Sequence, residues 1–244
     1  MSDYQIERRE GGWSRFFGDR REVVLGLLIL LFTVGVFGFV IKDALVAHNK
    51  DKSGVRHIIA KRWNDRTLAF PIEGADRHGK RVFFDVVVLT KNYGWVRGST
   101  TDLERSEQRL SPADIRDEVL APQLREGLGS ARGLIAVGLA SQEGDVEREE
   151  QRGGLRAART AHWVRDALGD RIPMWTLNLG RYLEPCAECE DADTSWQRPF
   201  IVIAIRQADA GALISEALAD AMSNTSNLPS PDRYSAFAFA KFVK

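Results

Sequence analysis

The sequence predicts an α+β domain carried behind one membrane-spanning helix. Three observations lead there. Val23–Ile41, "VVLGLLILLFTVGVFGFVI", is 19 residues long and has no charge. Beyond it, short segments rich in Val, Ile and Phe alternate with segments of helical spacing, in the order β-β-α-β-α-β-β-α. The 244-residue chain balances 34 basic against 34 acidic residues, so no global field draws it to nucleic acid.

The apolar run comes first. At about 1.5 Å per residue it nearly matches a hydrocarbon core of roughly 30 Å. It shows no polar stripe, as a buried core helix would. It is longer than the roughly 7–15 apolar residues of a cleaved signal, and Leu45 in "KDALVAHN" spoils the small-residue cleavage pattern. Flanking basic residues are evenly matched: Arg8, Arg9, Arg15, Arg20 and Arg21 before the span, Lys42, Lys50, Lys52, Arg56 and Lys61 after it. The adjacent Arg20–Arg21 pair favours a cytoplasmic N-terminus and an exported C-terminal domain. Trp13, Phe16 and Phe17 suit the interface beside that pair. Gly26, Gly35 and Gly38 would let a second span approach, in a copy of the chain or in a membrane-protein partner.

The expected organisation is therefore a cytoplasmic segment (1–22), a transmembrane helix (23–41), a polar and partly helical stalk (42–66), a folded domain (67–223) and a tail (224–244). In the domain, "TLAFPIEG" and "KRVFFDVVVLT" read as strands. Residues 91–110 read as a polar loop. "SPADIRDEVLAPQLREGL" reads as a helix with Ser111 as N-cap, Pro112 first, Asp114 in the first turn and a kink at Pro122. "GLIAVGLA" is a buried strand, Gly154 to Leu168 a helix, and "MWTLNLG" and "PFIVIAIR" are strands. Asp209 is placed to cap a last helix ending at Met222. The tail is irregular around "LPSPD". Its phenylalanines, Phe237, Phe239 and Phe242, demand cover, from the domain's own edge or from a partner.

The turn after the buried strand carries the most specific pattern. Gly138-Leu-Ala-Ser141-Gln-Glu-Gly144 is followed by a charged loop and by Leu155-Arg-Ala-Ala-Arg159. "TLNLGRYLEP" and an Arg-preceded strand, "QRPFIVIAI", come next. The set resembles the OmpA-like peptidoglycan-binding domain at the C-terminus of MotB-type proteins, over about residues 80 to 207. That resemblance implies a βαβαββ-type domain. It also implies a site in which an Asp on the turn and an Arg on the helix hold the ammonium and carboxylate of the stem-peptide diamino acid. Here Ser141 stands in place of the Asp, with Glu143 two residues on. Arg159 matches the helix motif, while Arg156 matches by direct spacing if the loop insertion is discounted.

The resemblance and the apolar run together imply a single-pass subunit of an envelope complex in the inner (cytoplasmic) membrane, its domain in the periplasm. That domain either binds peptidoglycan weakly or serves as a scaffold for partners. The MotB resemblance also offers a stator-like role beside a multi-span partner, with Asp19 and Glu22 at the cytoplasmic end of the span. The two acids lie outside the span and flank Arg20 and Arg21, which favours interfacial charge pairing.

Other motifs carry less. Gly74-Ala-Asp-Arg-His-Gly79-Lys80 has phosphate-loop spacing, but Arg81 replaces the Ser/Thr and a strand follows, so it reads as a hairpin turn. Cys186 and Cys189, among five acidic residues, read as a local disulfide in an oxidising compartment. Neither they nor His48, His57, His78 and His162 form a metal set. No nucleophile stands beside a base, so neither an enzyme nor a cofactor is expected.

Overall fold

The computed structural model describes residues 61–64, 66–90, 93–184, 194–225 and 228–243. The apolar run Val23–Ile41, Asp19, Glu22, Cys186 and Cys189 lie outside the described residues. Among those described, no helix is long and apolar enough to cross a membrane.

The chain forms a mixed α+β domain around a seven-stranded sheet. Strand β1 (Lys61–Asn64) leads into β2 (Thr67–Ala75), which turns back as β3 (Arg81–Leu89). A small second sheet comes next: β4 (Tyr93–Trp95), β5 (Leu103–Arg105) and β6 (Gln108–Arg109). Helix α1 (Pro112–Asp114) runs on as a π turn, Ile115–Val119, and α2 (Pro122–Gly129) leads to β7 (Gly133–Ala140). The long helix α3 (Val146–Leu168) returns to β8 (Met174–Arg181). Then come β9 (Ile201–Ala208), α4 (Ile214–Ser223) and β10 (Ala238–Lys241). The large sheet is ordered β1-β2-β3-β9-β7-β8-β10. Only β7 and β8 are parallel neighbours, and α3 is the crossover between them.

Strand β7 is buried at every position, as a strand covered on both faces must be. Its Leu134 and Ala136 pack with Ala161 and Val164 of α3, with Leu124 and Leu128 of α2, and with Trp95 and Leu103 of the small sheet. Its Ile135, Val137 and Leu139 face the other way, into a cluster with Leu177, Ile203 and Leu218 of α4. Each covering helix lies on a strand glycine. A Cβ on Gly138 would stand 2.9 Å from Ala157 Cβ, and one on Gly74 would stand 2.7 Å from Ala221 N.

Several expectations need correction. Residues 91–110 are not merely a polar loop, since they carry the small sheet and two fully buried side chains, Trp95 and Leu103. Pro122 does not kink a helix but opens a new one, after Ser111 and Asp114 complete a capping box on the first. The long helix starts at Val146 rather than Gly154. Asp145 caps it, accepting from Arg148 N at 2.9 Å, and Glu147 and Glu149 sit favourably in the first turn.

Asp209 does not cap the last helix; its carboxylate accepts from Arg81 N at 2.8 Å. Asp76, from the β2–β3 turn, does that work instead. It accepts from Leu213 N at 2.9 Å, and from His78 N and Lys80 N at 2.8 and 3.0 Å. The bond from Leu213, against the cost of burial, leads the set that holds Asp76 below the ordinary carboxylate value. A depressed acid contributes stability above its unfolded value of 3.8 and loses it as the pH falls through the lowered one. Asp76→Ala should therefore lower the Tm at neutral pH. It should also flatten the fall in Tm between about pH 5 and pH 3. Calorimetry of both proteins across that range checks it, and parallel curves would count against the cap.

The sheet reaches past the 67–223 span on both sides, through β1 and β10. The tail folds back as the far edge strand, antiparallel to β8, with Phe239 opposite Leu177. Phe239 stacks on Trp175 at 6.2 Å. Phe242 lies edge-on to His162 at 5.0 Å and under the Arg165 guanidinium at 4.0 Å. Of the two covers the phenylalanines could have found, they take the domain's own edge.

Candidate functional site

Strand β7 ends at Ala140, and the chain turns through Ser141–Gly144 before Asp145 starts α3. The sequence-predicted residues Ser141, Glu143 and Arg156 meet at this corner. Arg159, one turn further along α3, points elsewhere.

Ser141 is 3% exposed, and its hydroxyl donates to Glu143. Thr194, from the segment leading to β9, donates to the same carboxylate, and Arg97 of the β4–β5 loop stands 3.6 Å from it. Burial works against the charge of Glu143. The two hydroxyls, its own backbone N–H and Arg97 outweigh that, and hold its carboxyl below the usual range. Gln142 and Gln197 lock the turn to the chain before β9. Gln142 N donates to Gln197 Oε1 at 3.0 Å, and Gln197 Nε2 to Gln142 Oε1 at 3.1 Å. Arg181 Nε donates to the Gln142 carbonyl at 2.9 Å.

Arg156 is fully buried. Its Nε donates to Ser99 O at 2.9 Å, Nη1 to Leu139 O at 2.9 Å and Nη2 to Val96 O at 3.1 Å. Its guanidinium lies over the Trp95 ring, 5.5 Å from the centroid. Burial above all, then Arg198 and Arg152, press its pKa down to about 9. A guanidinium at that value is still a cation at neutral pH. Three carbonyls at the fork of one guanidinium suit its fixed donor geometry and tie the strand end, the small sheet and α3 together.

The helix continues the same economy. Glu149, buried, pairs with Arg152 one turn on. Arg198, before β9, donates to Trp95 O at 2.6 Å. Arg159 is exposed on α3 and makes no hydrogen bond or ion pair among the described residues.

The corner therefore holds an ionised carboxylate and a buried cation, each engaged by the protein itself. Thr194, Arg97, Gln197 and the carbonyls of Val96 and Ser99 escape the sequence reading. The one legible signal was the Gln197-Arg198-Pro199 run before β9. Among the described residues, no group of three or more His, Cys, Asp or Glu side chains is placed to hold a metal ion. Comparison with protein-family models, with curated proteins and with solved structures finds no match to this chain.

Proposed function

We propose that the chain is a single-pass inner-membrane subunit of an envelope complex, and that its exported OmpA-like domain works as a scaffold and partner-binding module. The uncharged run Val23–Ile41 and the Arg20–Arg21 pair support the anchor and its direction. The order β3, α2, β7, α3, β8, β9 supports the βαβαββ resemblance, with the turn and the helix arginine at one corner.

One observation favours the scaffold over the peptidoglycan grip. The Arg156 guanidinium, the one of the two candidate helix arginines that lies at this corner, is already bound to Ser99, Leu139 and Val96 carbonyls, while Arg159 is exposed away from it. Glu143, which would take the ammonium, is held by Ser141 and Thr194. A ligand would have to break these bonds before making its own, so the net gain is small.

Purified sacculi provide the test. The full-length protein should sediment with them no more than a control membrane protein does, while cross-linked membranes should still yield a co-purifying partner. Sedimentation well above control, competed away by the free diamino acid of the stem peptide, would overturn the scaffold reading.

A further inference from the structure

A second concavity lies beside the corner, between α3 and the π turn. It encloses about 540 Å³, within the roughly 300–1,000 Å³ of small-molecule sites. Its apolar surface comes from Leu110, Ile115, Leu120 and Trp163, and Trp163 is fixed by stacking on Trp95 at 5.5 Å. One wall is the π turn Ile115–Val119, a rare backbone form that recurs at functional sites.

The charges around the cleft are unevenly occupied. Arg116 is paired with Asp117 at 3.0 Å. Asp102 accepts from Ser99 Oγ at 2.7 Å and from Thr101 Oγ1 at 3.2 Å, with Arg109 at 3.9 Å. Arg159 and Asp166 have no such partner among the described residues. Arg125 Nε is buried without a hydrogen bond.

We propose that this cleft binds a small organic monocarboxylate. Its apolar body lies against Trp163 and Ile115, and its carboxylate is taken by Arg159 and Arg125. The guanidinium fork matches an oxyanion. The lining has three arginines against two aspartates, one net positive charge, which suits a monoanion. Asp102 and Asp166 would repel a phosphate dianion or a nucleic-acid backbone. A neutral apolar ligand would shield Arg159 from water and return no bond. The site goes beyond the scaffold reading and stands without it, because it shares none of Ser141, Glu143 and Arg156.

Ligand-observed NMR on the full-length chain in nanodiscs tests it, with empty nanodiscs as the blank and 3-phenylpropionate as the probe. The acid should bind. Propionate, which lacks the body, and 3-phenylpropan-1-ol, which lacks the charge, should each bind about tenfold or more weakly. Arg159→Gln changes an exposed side chain and should keep the wild-type melting curve, yet weaken the acid about tenfold and leave the alcohol unchanged. Arg125→Gln should act in the same direction. Arg159→Lys should restore part of the loss, because the charge returns without the fork. Equal binding of acid and alcohol, no binding of the acid, or unchanged affinity in Arg159→Gln would overturn the proposal. Displacement of the acid by equimolar inorganic phosphate would overturn the carboxylate assignment.

Discussion

Gly138→Val leaves no stably folded domain at physiological temperature. Gly138 sits in the middle of β7, where α3 crosses at its closest. An added Cβ would collide with the Gly153 carbonyl and stand 2.9 Å from Ala157 Cβ. Overpacking usually costs about 1–3 kcal/mol because flexible side chains can give way. Here the obstacle includes helix backbone. Strand β7 cannot recede, since Ile135, Val137 and Leu139 fill the opposite face. Helix α3 must then lift and withdraw Ala157, Ala161 and Val164 from the core. The expected cost exceeds about 4 kcal/mol, a large share of an ordinary domain's stability of roughly 5–15 kcal/mol. Gly129→Ala is the control, since nothing lies within 4 Å of a Cβ there. Circular dichroism melting decides between them. A Gly138→Val protein that melts within about 4 °C of wild type would refute the close-packing account.

The strands that carry the sheet were legible because their residues are dense in apolar side chains and bounded by turns. Strands β2, β3, β7, β8 and β9 fall where those runs fall. The small sheet was hidden for a physical reason. Its strands are two or three residues long, too short for alternation to register, and Leu103 is a single apolar residue among polar ones. The first turns of α3 were hidden differently. "VEREEQRGG" has no apolar stripe, and two glycines imitate a break. What holds that stretch helical is the Asp145 cap and the burial of Glu149 and Gly153, which only tertiary contact supplies.

The corner site was half legible. The turn residues Ser141 and Glu143 could be read directly, but the choice between Arg156 and Arg159 could not. Both come after Leu155 on one helix, and both could pass for a solvated face. They differ because the small sheet closes over Arg156, and the small sheet was the element that the sequence concealed.

Arg156→Ala should be the second most damaging change. The side chain is fully buried and makes three hydrogen bonds to carbonyls of two separate segments, the end of β7 and the β4–β5 loop. Alanine removes all three at once, opens a cavity against Trp95 and leaves the acceptors without a donor. Each carbonyl left unsatisfied costs about 1–3 kcal/mol and the cavity adds to that, so a loss of several kcal/mol is expected here. Arg156→Lys should recover only part of it. Lysine keeps the charge, but its compact ammonium cannot span carbonyls arranged for a planar fork. Denaturant unfolding of the three proteins should give midpoints in the order wild type, Arg156→Lys, Arg156→Ala. The outcome also bears on the function. A residue kept for ligand would leave the fold intact when removed, and a residue kept for structure would not. If Arg156→Ala unfolds at the wild-type midpoint, the carbonyl bonds contribute nothing to the fold. The cation is then available to a ligand, and the peptidoglycan grip regains the stronger claim on this corner.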